Sequence, residues 1–257
     1  MNGSTSPGVK SLGPHNARAT SQADVEYHTR HDPHKQASGL ADIILGGQDG
    51  LVNVLGVILG VAAATSDSQI VIVAGLAATF AESISMGAVA YTSTLAESAF
   101  YESEREREYR HIVRVPELER QEIYDIYEKK GFNDELLDHI VRTITADEDT
   151  WVQVMMAEEH QLSPTNRGHA LQAALIVGFS AIIGSLIPLV PFLALSVKAS
   201  MIVSILISAL TLFLVGAYKA RVTVGHPGKS GLEMAVIGTV SALAGYVVGL
   251  LLKVPGA

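Results

Sequence analysis

The sequence predicts an all-α polytopic membrane protein with five transmembrane helices and a polar three-helix insert between the second and third. Three observations carry this. Of 257 residues, 48% are hydrophobic and only 17% charged, with a mean hydropathy of +0.30, an unusual profile for a soluble chain. The apolar residues fall in runs near the 20 or so that span a bilayer. The charge is gathered in one block, 101–163, where 17 Asp and Glu face 8 Lys and Arg. The whole chain carries a formal net charge of −8, so everything outside the block is near neutral and the block's expected partner is a cation. Cysteine is absent, which excludes a disulfide framework, a thiolate metal site and a cysteine nucleophile.

Residues 1–37 are rich in Ser, Gly, Pro, Asn and His, with no apolar period and no secretory h-region. They read as a disordered tail, with the first span serving as an uncleaved signal-anchor. His28, His31 and His34 stand three apart, but a flexible segment containing Pro33 holds no ligand geometry.

The first span, Gly39–Thr65, carries Asp42, Gln48, Asp49 and Asn53. Spacings of i, i+7 and i, i+4 place Asp42, Asp49 and Asn53 on one helix face. That face must look into protein or water, because a carboxylate at bilayer depth costs about 3 kcal/mol on the insertion scale. Gly46, Gly50, Gly56 and Gly60 form small-xxx-small pairs that allow close helix approach and suit a two-fold interface.

After a short polar turn, the second span contains Glu82 and, one turn on, Met86. No proline or helix-ending glycine interrupts the pattern before Pro116, so one helix is expected from about Gln69 to about Arg114, roughly 65 to 70 Å long. Against a hydrocarbon core of about 30 Å, its second half must project into water. Three further spans follow at Ala170–Leu189, Ala199–Ala217 and Leu232–Leu252, with Pro188 and Pro191 marking one turn and Gly225-His226-Pro227-Gly228 the other.

Lys and Arg set the orientation. Arg30, Lys35, Arg167, Lys219, Arg221 and Lys229 belong to the side that holds the insert, and Lys198 and Lys253 to the other. The insert and the N-terminus are therefore expected in the cytosol and the C-terminus in a lumen or outside. The expected organisation is a tail over 1–37, spans one and two over 38–100, the cytosolic insert over 101–166 and spans three to five over 167–257.

Within the insert, Glu108 and His111 share a face of the projecting helix, with Glu104 one turn earlier. Glu119 and Glu122 form an i, i+3 pair on the next helix, and the last helix offers Met155, Met156, Glu158, Glu159 and His160. Ligands at one-turn spacing on several helices are how helical metal sites are built. Carboxylates and imidazole suit Fe(II), Mn(II) and Zn(II), and thioethers tilt the choice away from Ca and Mg. The bland alternatives are a solvated charged face along EREREYR and a small core in which both methionines pack on Trp151. In the membrane the default for Asp49, Glu82 and Met86 is a functional role, with competition between protons and metal at the carboxyls. No phosphate loop, hydrolase triad or basic nucleic-acid surface is present: Gly228-Lys229-Ser230 lacks the upstream glycine and the strand.

Gly47-Gln48-Asp49-Gly50-Leu51 with Leu55-Gly56, Glu82-Ser83-Ile84-Ser85-Met86-Gly87, and the Glu-rich insert with Pro116-Glu117 and Glu119-x-x-Glu122 resemble the vacuolar iron transporter family of plants and their fungal and apicomplexan relatives. The resemblance covers about Gly39 to Leu252. It implies a homodimer of five-span protomers, an Fe(II) and proton antiporter of the vacuolar membrane, and a cytosolic three-helix metal-binding insert. Asp49, Glu82 and Met86 would match the translocation path, with Asp42 and Asn53 on the same polar face. Glu108, Glu119, Glu122, Met155, Met156 and Glu159 would match the insert's metal site. His111 stands where the family's pattern leads one to expect an acid. No permanent cofactor is implied; Fe(II) is the substrate, with Mn(II), Co(II) and Zn(II) as further candidates. The competing readings are a membrane-tethered di-iron ferroxidase and a scaffold whose acidic insert binds a basic partner.

Overall fold

The computed structural model describes residues 37–165, 167–223 and 225–252. The readings made for Arg30, Lys35, Lys253, the three tail histidines and the tail itself up to residue 36 lie outside them.

Among the described residues the elements are helices α1 (Ala37–Thr65), α2 (Ser68–Arg114), α3 (Pro116–Lys129), α4 (Asp134–Ile144), α5 (Glu148–Glu158), α6 (Ala170–Leu189), α7 (Val197–Val222) and α8 (Pro227–Leu251). Short 3-10 turns stand at Arg167–His169 and Val190–Leu193, and there is no strand. Five of the helices, α1, α2, α6, α7 and α8, are long and apolar enough to cross a membrane. α2 is one helix of 47 residues, roughly 70 Å.

Local chemistry sets the ends. Asp67 caps α2, its carboxylate accepting from the Gln69 and Ile70 amides at 2.7 and 3.2 Å. α2 stops where Pro116 opens α3 as its first residue, since the residue before a proline is driven out of the helical region. Gly131, at φ 97°, takes the left-handed turn after α3 that a residue with a Cβ resists. Asp147 caps α5 through the Thr150 amide at 2.8 Å.

α7 overruns the expected span Ala199–Ala217 at both ends, and α8 starts before the expected Leu232–Leu252 and ends at Leu251. Lys219–Val222 and Pro227–Gly231 continue helical hydrogen bonding beyond the apolar runs. Pro227 starts α8 at its first position instead of sitting in the turn, because its fixed φ and missing N–H suit that position.

The apolar core of the spanning helices joins Val54, Leu55, Ile58 and Leu59 of α1 to Val71, Leu189, Phe192 and Ala242. The α1 glycines make their close approaches within the chain. Gly46 and Gly50 lie against the Val177 and Ala181 carbonyls of α6, and Gly56 and Gly60 lie against Gly245 and Gly249 of α8, with no room for a Cβ at Gly46, Gly50 or Gly60. The small-residue stripe is therefore used within the protomer, with Gly46 and Gly50 buried and Gly56 and Gly60 half-buried. Ser68 donates to the Phe192 carbonyl at 3.0 Å, which fixes the α1–α2 turn beside the α6–α7 turn. At the opposite end Arg167 donates to Ser98 at 3.3 Å and holds the exit of the insert to α2.

Candidate metal centre

The insert has its own core. Ile112 of α2, Ile123 of α3, Leu137 and Val141 of α4, and Trp151, Val152, Met155 and Met156 of α5 form one buried cluster. A Lys130–Glu158 ion pair ties the end of α3 to α5, and the Arg120 guanidinium stacks over the Trp151 ring at 5.8 Å. Tyr109 donates to Asp149, which joins α2 to the first turn of α5. These contacts hold three helices in a fixed register, so side chains distant in sequence can share one site.

That site centres on Glu108. Its residue is 2% exposed and that of Glu119 is 3% exposed, although both are carboxylates, which are almost never fully buried without partners. His111 Nδ1 lies 3.6 Å from Glu108 Oε1 and 3.4 Å from Glu119 Oε1. From the other side, His160 Nε2 lies 3.0 Å from Glu108 Oε1. Two groups result, Glu108–His111–Glu119 and Glu108–Glu159–His160, each with its ligand atoms within 4.8 Å of one another. Oε2 of Glu108 and Oε2 of Glu119 are both buried without a hydrogen-bond partner. A buried anionic oxygen without a donor costs free energy that a cation would recover.

Burial, then the charges of Glu122, Glu108 and Glu159, push the Glu119 carboxyl up to about 7. Partial desolvation and the Glu122 charge raise Glu159 as well. Like charges crowded in a partly dry site favour the protonated form until a cation replaces the proton.

Of the residues singled out from sequence, Glu108, His111, Glu119 and Glu159 are brought together. The charge of Glu122 acts on Glu119, but Glu122 belongs to neither three-group set. Glu104 pairs with Arg107 at 3.0 Å and also stands outside both. Met155 and Met156 are buried in the core around Trp151. His160, which the sequence offers together with the last helix, follows the end of α5 and reaches Glu108 from there. It is placed by the turn there: Gln161 adopts φ 54°, and the Leu162 amide returns to the Met156 carbonyl at 2.9 Å.

In the spanning part, Asn53 of α1 donates to Glu82 Oε1 of α2 at 3.0 Å, and Asp49 is close enough to interact with the Glu82 carboxyl. Asp42, Asp49, Glu82 and Met86 are half-buried and Asn53 is exposed. One polar face on two adjacent helices thus opens to the protomer surface.

This arrangement, a buried acidic centre carried by the same long helix that holds a membrane-depth carboxylate, can be set beside known proteins. The VIT family sequence profile matches residues 40–250. The chain belongs to the VIT family. Among its relatives, Vacuolar iron transporter 1 of Eucalyptus grandis is 31% identical over 221 residues, covering 84% of this chain and 89% of that one. Vacuolar iron transporter 1 of Oryza sativa subsp. japonica is 31% identical over 222 residues, covering 85% and 88%. Vacuolar iron transporter of Plasmodium falciparum (isolate 3D7) is 30% identical over 224 residues, covering 83% and 82%. In this VIT-family chain the insert and the polar α1–α2 face both fall within the matched region.

Proposed function

We propose that this chain transports divalent iron across the vacuolar membrane, from cytosol to lumen, in exchange for protons. The observation that carries the reading is the convergence of buried, donor-less carboxylate oxygens of Glu108, on an extension of the helix that bears Glu82, and of Glu119 on α3. The insert collects the ion on the cytosolic side, where the N-terminus also lies, with the C-terminus in the lumen. Glu82, Asp49, Asn53 and Met86, with Asp42 two turns away on α1, form the path. Their polar face opens on the protomer surface, and in a bilayer carboxylates there need cover. A second copy facing that surface would enclose the path, which supports a homodimer even though the α1 glycines are used internally.

The test is Fe(II) uptake by purified protein in vesicles under a pH gradient. Uptake should depend on the gradient and be abolished in Asp49→Ala. Gradient-independent uptake, or an Asp49→Ala variant as active as wild type, would sink the antiport path.

A second reading, a membrane-tethered ferroxidase, is favoured by one feature: Glu108, His111, Glu119, Glu159 and His160 gather carboxylate and imidazole groups around one carboxylate. Oxygen consumption on addition of Fe(II) distinguishes it; its absence together with transport leaves the transporter.

A further inference from the structure

Histidine approaches Glu108 from two directions. His111 comes from the same helix one turn on. His160 comes from beyond the end of α5, held in place by the left-handed Gln161 and by the return of Leu162 to Met156. The side chains of Glu108 and Glu119 are 3% and 4% exposed, whereas those of His111 and His160 are 44% and 27% exposed. The carboxylates form the floor of the site and the imidazoles its mouth. The unpartnered Oε2 atoms of both acids lie in that floor.

Resting on the reading of the insert as a metal-collecting site, we propose that His160 and His111 are nitrogen ligands that set its selectivity. The site thereby favours late divalent transition ions such as Co(II) and Zn(II) over Mn(II). Carboxylates alone suit Mn(II) as well as the later ions, while each imidazole steepens the rise in affinity from Mn(II) toward Cu(II). His160 Nε2 lies 3.0 Å from the shared carboxylate, so an ion held by Glu108 meets the imidazole with little rearrangement.

The experiment uses the full chain purified in detergent, with Co(II) and Mn(II) as separate probes at one pH. Wild type should bind Co(II) more tightly than Mn(II), and bound Mn(II) should show nitrogen coupling in electron spin-echo spectra. His160→Gln and His111→Glu should each weaken Co(II) binding by about 10-fold or more. Mn(II) binding should change far less, and the double variant should lose the nitrogen coupling. If wild type shows no nitrogen coupling, or if the two ions weaken together in both variants, the imidazole assignment is overturned. Glu108→Gln separates this from failure of the site: it should abolish binding of both ions, and a Glu108→Gln variant that binds like wild type removes the metal-collecting reading itself.

Discussion

Asn53 and Glu82, on different helices and 29 positions apart, are joined by a 3.0 Å hydrogen bond from the amide of one to the carboxylate of the other. A hydrogen bond to a charged group contributes about 1.5 to 3 kcal/mol, and here it holds the Glu82 oxygen toward α1. Asn53→Leu should release that oxygen and lower the initial rate of Fe(II) uptake in vesicles by about 10-fold or more, while the protein still purifies as a folded species. Uptake at the wild-type rate would show that Glu82 works without Asn53.

Glu119 gives the insert a defined pH dependence. Its folded pKa is raised from 4.5 to about 7, so the metal-free fold binds this proton more tightly than the unfolded chain does. The corresponding stability is fully present below 4.5 and is lost as pH rises through about 7. The metal-free protein should therefore melt at a lower temperature at pH 7.5 than at pH 5.5. Metal binding needs the ionised form, so Co(II) affinity should fall as pH drops below about 7, by up to about 10-fold per unit for one displaced proton. Glu119→Gln should flatten the melting trend and raise the melting temperature of the metal-free protein at pH 7.5. A melting trend of the opposite slope in wild type would refute the assignment.

The spanning helices were legible because their signals are local. Apolar runs of bilayer length, the uninterrupted pattern from Gln69 to Arg114 and the break at Pro116 each depend on neighbouring residues. The acids of the insert were legible as one-turn pairs for the same reason. The sequence offers His160 but helical spacing cannot aim a side chain beyond a helix end: its amide returns to the Met155 carbonyl at 3.2 Å, and the next residue, Gln161, is left-handed although it is not the glycine that usually announces such a turn. Nor does a small-xxx-small pattern name its partner. The α1 glycines meet α6 and α8 of their own chain, which only the packed structure decides.

Trp151, the single tryptophan, is buried in the insert's core beside Met155 and Met156. Any ion held by Glu108 and His160 sits at the edge of that core, so its arrival should perturb the indole. Co(II) should quench the tryptophan emission saturably, and Glu108→Gln should abolish the quenching while leaving the emission maximum of the metal-free protein unchanged. Equal quenching in the variant would place the ion elsewhere.

The contact of Gly249 with Gly60 ties α8 to α1 with no side chain between the backbones. A Cβ at Gly249 would collide with the Gly60 carbonyl, and neither helix backbone can yield as a flexible side chain would. Gly249→Ala should therefore force the helices apart and destabilise the protein by about 1 to 3 kcal/mol, the usual range for overpacking. Gly228, in the first turn of α8, has nothing within 4 Å of such a Cβ. Gly228→Ala should leave stability unchanged or raise it by up to about 1 kcal/mol through helix propensity. Thermal melts of the two variants in the same detergent make the comparison internal. Equal melting temperatures for both would show that α1 and α8 do not pack through these glycines.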